Sequence, residues 1–138
     1  MTQYYKPNAQ GEMQVIKLGR AITAEVLQVV GNDKNFKKHR RWVMAGKIAD
    51  LANDFFIALE TANEIVVTYR KDAEERHKYQ VLAAARLKVI TKMLDLAIDV
   101  EGLDINRIDN LISKCNDELK LLSRWKSKDE KRFSNLLG

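Results

Sequence analysis

The sequence predicts an all-α fold, an antiparallel up-down four-helix bundle, and three observations support this. The only proline is Pro7, so no residue after it is kept out of a helix by its own ring. Apolar residues recur at the spacing of an amphipathic helix in four segments, and the alternation typical of strands does not occur. Four apolar stripes of this width can bury one another, whereas two or three helices would leave apolar surface in water.

The first two helices are predicted on either side of a basic connection. Helix 1 is expected from Glu12 to Val30, and Gly31 with Asn32 suits a left-handed C-cap. Its apolar stripe consists of Val15, Leu18, Ile22, Val26 and Val29. Helix 2 is expected from Arg41 to Val67, with a stripe in steps of three and four. The members of that stripe are Ala45, Ile48, Ala52, Phe55, Leu59, Ala62 and Val66.

The last two helices are predicted to be antiparallel neighbours. Helix 3 is expected from Ala73 to Glu101, followed by Gly102, with a stripe of Tyr79, Leu82, Arg86, Ile90, Met93, Ala97 and Val100. Asp104 is the expected N-cap of helix 4, which runs to Trp125. Its stripe consists of Ile105, Ile108, Ile112, Cys115, Leu119 and Leu122. Since the connection between these helices is so short, the chain must reverse there.

The length of 138 residues fits one domain. The expected organisation is an N-terminal tail over residues 1–11, the bundle over 12–126 and a polar C-terminal tail over 127–138, frayed or dependent on a partner. Some apolar residues lie off the main stripes: Leu51, Ala58, Ile65, Val89 and Leu111. They widen the apolar faces beyond the need of one core, which predicts a closed oligomer with heterologous contacts.

The composition favours an anionic partner and disfavours metal chemistry. There are 24 Lys plus Arg against 19 Asp plus Glu, a net charge of +5, and the pI is near 9.3. A single cysteine excludes an internal disulfide, and with two histidines it does not complete an ordinary zinc site, so no cofactor is expected. Neither a signal peptide nor a membrane span is visible, so we expect a cytoplasmic protein without a membrane partner.

Positive charge is concentrated in two places. The basic segment, residues 34–47, holds six cations and no carboxylate. Folding helix 4 back on helix 3 brings the cations of residues 70–78 beside those of 124–128, while acidic residues meet at the other end. The candidate nucleic-acid-binding residues are Lys34, Lys37, Lys38, His39, Arg40, Arg41, Lys47, Arg70, Lys71, Arg76, Lys78, Arg124, Lys126 and Lys128. The alternative is that these are solvated helix faces with local ion pairs.

No catalytic or metal-binding group emerges from the sequence. His39 and His77 are flanked by cations, which favours polar surface or phosphate contact over a metal site. Cys115 lies on an apolar stripe and is expected to be a small buried hydrophobe. A di-metal bundle needs Glu-x-x-His pairs, which the chain lacks, although its helices carry Asp50, Asp54, Asp95 and Asp99.

Three large side chains have two interpretations each. Trp42 and Trp125 can stack on bases, but each is expected to anchor the end of a helix by packing. Arg86 interrupts the stripe of helix 3. It either extends its charge to solvent at the edge of the bundle or forms an ion pair at a subunit interface.

With these elements placed, most of residues 37–128 resembles a known family. The matching stretches are KKHRRWVMAGKIADLANDFFIALETAN over 37–63, LAAARLKVITKMLDLAIDVEGL over 82–103 and NDELKLLSRWKSK over 116–128. They are similar to the four-helix-bundle proteins of 23S rRNA intervening sequences and to the accessory variability proteins (Avd) of diversity-generating retroelements. Ser123 and Arg124 depart from the pattern, because the family often has a small residue, typically glycine, just before the tryptophan.

The resemblance implies a homopentameric barrel of bundles with a basic surface. Such a protein would bind RNA or DNA with little sequence preference. It would assist a retroelement reverse transcriptase in copying template RNA for mutagenic retrohoming. The alternative is a helical protein-interaction or assembly module of the rRNA intervening-sequence type with no direct nucleic-acid role. Neither is an enzyme, and a bundle-core metalloenzyme ranks below both.

Overall fold

The structure, a computed structural model, describes residues 10–137, with side chains from 14 to 136. It is helical throughout its regular elements: α1 (Gln10–Gly31), α2 (Ala45–Glu64), α3 (Arg70–Glu101), α4 (Ile105–Arg132) and the short α5 (Ser134–Leu137). The four long helices pack against each other, each against its neighbours in sequence and α1 also against α4. The prediction of an all-helical chain is confirmed. Residues 1–9 of the expected N-terminal tail lie outside the described residues.

Helix α1 carries the predicted stripe but ends differently from the prediction. Val15, Ile22, Val26 and Val29 are buried, and Leu18 is half-buried. The prediction of a left-handed C-cap at Gly31 is wrong, because Gly102 is the only described residue with a positive φ. Instead, side chains satisfy the last carbonyls of α1: the Asn35 amide donates to the Val29 carbonyl at 3.0 Å and Arg41 donates to the Gly31 carbonyl at 3.2 Å.

Helix α2 is shorter than predicted at both ends. After a 3-10 turn over Lys38–Arg40, further turns over residues 41–44 occupy the expected first residues of the helix. At the other end the chain becomes extended at Ile65, and Val66 is exposed. The remaining members of the predicted stripe, from Ala45 to Ala62, are all buried.

Helix α3 begins at Arg70, earlier than predicted, because the Asp72 carboxylate accepts hydrogen bonds from the backbone amides of Thr68 and Tyr69 at 3.1 and 2.9 Å. These bonds lower the pKa of Asp72.

The apolar stripe predicted for α3 is largely wrong, since only Ile90 and Ala97 of that set are buried. The residues that are buried are Ala73, Arg76, Gln80, Ala83, Ala84, Leu87, Ile90, Leu94 and Ala97. The core face thus combines small and polar residues with Leu87, Ile90 and Leu94, and further apolar residues lie on the outer face. Arg86 lies beside the buried stripe and is half-buried.

Helix α4 begins as predicted and extends further. Gly102 is left-handed with φ 68°, and the Asp104 carboxylate accepts from the Asn106 amide at 3.0 Å, which confirms the N-cap. The helix continues through Arg132 instead of ending at Trp125, so residues 127–132 are not a frayed tail.

The stripe of α4 is also wider than predicted. Ile108, Cys115 and Leu122 are buried, as are Leu111 and Glu118, whereas Ile105 is exposed. Leu111, like Ala58 of α2, therefore belongs to the core of one chain, and neither supports the expected oligomer.

A close contact of the core lies at Gly19, where α1 meets α2 and α4. A Cβ atom at this position would clash with Leu59 Cδ2 and would lie 2.6 Å from Glu118 Oε2. The Thr23 hydroxyl donates to the Gly19 carbonyl at 2.8 Å. Glu118 is completely buried, and neither of its carboxyl oxygens has a hydrogen-bond partner among the described residues. A glycine therefore makes the space that a buried carboxyl group and a leucine occupy.

We expect Gly19→Ala to destabilise the protein by about 1–3 kcal/mol, the usual range for an overpacked core. Gly31→Ala is the matched control, since nothing lies within 4 Å of a Cβ atom there and its φ is not positive. Urea unfolding followed by circular dichroism measures both. Equal stability of the two variants would contradict the close packing at Gly19.

A second expectation concerns the ionisation of Glu118. Burial raises the pKa of its carboxyl group to about 9 from the ordinary value of 4.5. Between these two values the folded protein keeps a proton that the unfolded chain releases. The free energy of unfolding therefore falls as pH rises, by at most about 1.4 kcal/mol per pH unit.

The Glu118→Gln variant has no proton to keep, so its stability relative to the unaltered chain should increase steadily between about pH 5 and about pH 9. Urea unfolding across this interval gives the difference. Glu130→Gln removes an exposed carboxylate of the same helix and reports the effect of the charge alone. A constant difference between E118Q and the unaltered chain would show that Glu118 is ionised in the fold.

Candidate nucleic-acid interface

The basic segment is attached to the bundle by two buried side chains. Phe36 and Met44 lie in the core on either side of the 3-10 turn. The amide of Lys34 donates to the Asn32 side chain at 2.9 Å, which stabilises the turn after α1. The segment therefore presents its polar side chains from a fixed backbone.

Both arginines of the basic segment are paired with carboxylates outside it. The Arg40 guanidinium contacts the Glu101 carboxylate at the end of α3, at 3.2 to 3.3 Å. Arg41 forms an ion pair with Asp33, which Lys38 also approaches at 3.8 Å. These charges are neutralised locally and help to hold the connection against the bundle.

The other basic side chains of the basic segment remain available. Lys34, Lys37, His39 and Lys47 are exposed, and among the described residues none lies within ion-pair distance of a carboxylate. Trp42 lies between them in the sequence and is 79% exposed. The prediction that Trp42 anchors a helix end is therefore wrong, because its ring faces solvent, where bases can stack on it.

The helix ends that carry the second predicted cluster do meet, because Arg76 near the start of α3 contacts Asp129 near the end of α4. Arg70 and Lys78 lie near the carboxylates of Glu74 and Glu75, at 3.5 and 3.6 Å, whereas Lys71 is exposed and unpaired. Of the α4 members, Arg124 and Lys128 are exposed and Lys126 is half-buried.

Arg76 does not belong to this surface, contrary to the prediction. Its guanidinium is buried and contacts the Asp129 carboxylate, with Nε to Oδ2 at 2.6 Å and Nη2 to Oδ1 at 3.3 Å. Gln80 donates to the same carboxylate at 2.8 Å. The guanidinium also lies over the ring of Trp125, 4.9 Å from its centroid. Arg76 is therefore a structural residue that joins α3 to α4.

A basic stripe on α4 is the feature that sequence reasoning found only in part. Lys120, Arg124, Lys128 and Lys131 recur at intervals of four, four and three residues, and all are exposed. They lie on one face and extend over about 16 Å. Among the described residues, no carboxylate pairs with any of the four. The prediction missed Lys120, which lies within the predicted helix 4. It also missed Lys131, which joins the spacing only because the helix continues past Trp125.

The two basic regions lie far apart on the molecule. Arg40 contacts the last residue of α3, and Arg76 in the first turns of α3 contacts the end of α4. Helix α3 has 32 residues, which corresponds to about 48 Å. The α4 basic stripe and the basic segment therefore form two patches, and one bound strand reaches both only by running along the bundle.

The described part of the chain was predicted to lack a reactive thiol and a metal site, and two observations concern these groups. Burial and the nearby carboxyls of Glu118 and Glu25 raise the pKa of the Cys115 thiol to about 12, which confirms a small buried hydrophobe. Residues 10–137 contain no group of three or more His, Cys, Asp or Glu side chains placed to hold a metal ion. None of the described helices is long and apolar enough to cross a membrane.

Comparisons with models of protein families, with curated proteins and with solved structures found no match for this chain. The resemblance to intervening-sequence and Avd proteins therefore stays a prediction.

The two tryptophans provide a direct test of their different environments. Trp125 is 2% exposed beneath Arg76, whereas Trp42 is 79% exposed. We expect Trp125→Ala to lower the free energy of unfolding by about 3–5 kcal/mol, and Trp42→Ala to change it by about 0.5 kcal/mol or less. Urea unfolding of both variants measures this. An unchanged midpoint for Trp125→Ala would overturn the structural role of its ring.

Proposed function

We propose that this chain is a non-enzymatic, basic nucleic-acid-binding accessory protein, built as an antiparallel up-down four-helix bundle. The α4 basic stripe is the observation that carries the proposal. Cations four residues apart on a helix repel one another, so four of them on one face need a counter-charge from outside the chain. Phosphates of a nucleic-acid backbone supply such a row of negative charges.

The physical chemistry of the two patches favours binding with little sequence preference. Lysine and arginine side chains contact phosphates, and these contacts position a nucleic acid without identifying its bases. The exposed ring of Trp42 adds a stacking surface that accepts any base. RNA and single-stranded DNA both carry the phosphates and bases that such a surface binds.

The biological setting of the proposal follows from the resemblance. In that setting the protein assists the reverse transcriptase of a diversity-generating retroelement in copying template RNA during mutagenic retrohoming. It acts in the cytoplasm as a homo-oligomer, for which the resemblance implies five chains. The reverse transcriptase is then a second partner beside the nucleic acid.

A second candidate function, a helical assembly module without a nucleic-acid role, is favoured by apolar side chains on the outer faces of α2 and α3. Ile57 is exposed on α2, beside half-buried Phe56 and Ile65. A shallow groove of about 440 Å³ lies along these residues. Apolar surface of this kind is typical of contacts between proteins.

Removing charge from the α4 basic stripe distinguishes the two functions. We expect the triple variant Lys120→Gln, Arg124→Gln, Lys128→Gln to bind single-stranded RNA more weakly. The slope of log affinity against log salt should become flatter by about two units, at roughly 0.7 per lost phosphate contact. The helical circular-dichroism signal should persist, because all three side chains are exposed.

The matched control removes the same charge from other exposed positions: Lys17→Gln, Arg20→Gln, Arg107→Gln. Titrations of a labelled RNA at a series of salt concentrations compare both variants with the unaltered chain. Equal slopes for the two triple variants would contradict the role of the stripe. Absence of RNA binding by the unaltered chain at low salt would favour the assembly module.

A further inference from the structure

Helix α3 has a second apolar stripe that no part of the described chain covers. Val81, Val89, Leu96 and Val100 are 44%, 43%, 49% and 43% exposed, respectively. Their spacing of eight, seven and four residues places them on the outer face of the helix. Half-buried Leu82 and Met93 border the stripe on the side of the bundle. A row of this length exceeds the isolated apolar side chains normal on a surface.

Four charges accompany this stripe in a distinctive order. Lys88 and Lys92 are followed by Asp95 and Asp99, so two cations one turn apart precede two anions one turn apart. All four are exposed, and among the described residues none of their charged groups forms an ion pair or a hydrogen bond. At 100° per residue they lie on one flank of the stripe. Within one chain, each like-charged pair is unfavourable.

The order of these charges is self-complementary under two-fold symmetry. A point midway between residues 93 and 94 is equally distant along the helix from 88 and 99, and from 92 and 95. A two-fold axis through that point brings Lys88 to Asp99 of a second copy and Lys92 to Asp95 of a second copy. Both pairs then occur twice, and every unpaired charge of the flank gains an opposite charge.

The same axis also aligns the apolar side chains. It places Leu96 at the height of residue 91 of the second copy, between that copy's Val89 and Met93. Val100 lies at the height of residue 87 of the second copy, between that copy's Ala85 and Val89. Side chains of one helix then enter the spaces between those of the other, as in antiparallel helix packing. We propose that two copies of this chain pair through the outer faces of their α3 helices, antiparallel about this axis.

The size of the contact predicts a reversible pair. About this axis residues 87–100 of the two α3 helices overlap, whereas Val81 lies outside the contact. The overlap spans about 20 Å, and a helix is about 10 Å wide. A strip of these dimensions is smaller than a standard specific protein interface. The pair should therefore dissociate on dilution, and its weak affinity is measurable by sedimentation between about 1 and about 300 µM.

This inference goes beyond the proposed function and does not depend on it, because the α4 basic stripe lies on another helix. A ring of five chains contains no two-fold axis. The α3 contact therefore pairs single chains or joins two rings. Loss of RNA binding and loss of pairing are separate measurements on separate variants.

Charge reversal with complementation tests the pairing. Lys88→Glu with Lys92→Glu makes the flank wholly acidic, and Asp95→Lys with Asp99→Lys makes it wholly basic. Each double variant alone should self-associate at least tenfold more weakly than the unaltered chain. An equimolar mixture of the two should pair again, because the opposite flanks then match. Sedimentation velocity with one variant fluorescently labelled detects the mixed pair.

The control reverses an acidic pair of the same spacing on another helix, Asp50→Lys with Asp54→Lys on α2, and should leave pairing unchanged. Leu96→Gln, at an exposed position of the stripe, should weaken pairing without loss of helical signal. The proposal is overturned if the unaltered chain sediments as a single chain at the highest concentration or only as a ring of five. Failure of the mixture to pair also overturns it.

Discussion

The buried ion pair between Arg76 and Asp129 is the interaction on which the arrangement of this protein depends. It joins the start of α3 to the end of α4, and the Arg76 guanidinium also reaches the Ile65 carbonyl after α2 at 3.5 Å. Two buried charges are stable only when they are paired and hydrogen-bonded. Here Gln80 donates a further hydrogen bond to Asp129, and the Arg76 guanidinium lies over the ring of Trp125. This pair holds the last turns of α4 against α3, and these turns complete the outer basic stripe.

Most arginines and lysines of the basic regions differ in their use, although Lys114 of α4 also pairs with Glu25 of α1 at 2.8 Å. Arg40, Arg41 and Arg76 each bind a carboxylate and connect one element to another. The guanidinium group suits this role because its planar fork donates more than one hydrogen bond. The lysines of the basic segment and of the α4 stripe mostly remain in solvent. Charge available to a partner is therefore supplied mainly by lysine, together with Arg124.

Helix α3 has apolar residues on two faces for different reasons. Its inner face is rich in alanine, which allows close approach to α2 and α4. Its outer face carries valine and leucine, which the single chain leaves in contact with water. Close packing also occurs in the core at Gly19, where the absence of a Cβ atom leaves room for the buried carboxyl group of Glu118. The core of the chain and its surface for association thus lie on opposite sides of one helix.

The sequence by itself determined the helical class, the four long helices and the Asp104 cap, because periodicity, absence of proline and capping act between residues close in the chain. Only the tertiary structure decided which face of α3 is buried, which tryptophan faces solvent and which cations are available. The deciding contacts join residues 53 and 61 positions apart, Arg76 with Asp129 and Arg40 with Glu101. A local pattern does not encode such pairs, because the free energy of burying a charge depends on the partner that folding brings to it.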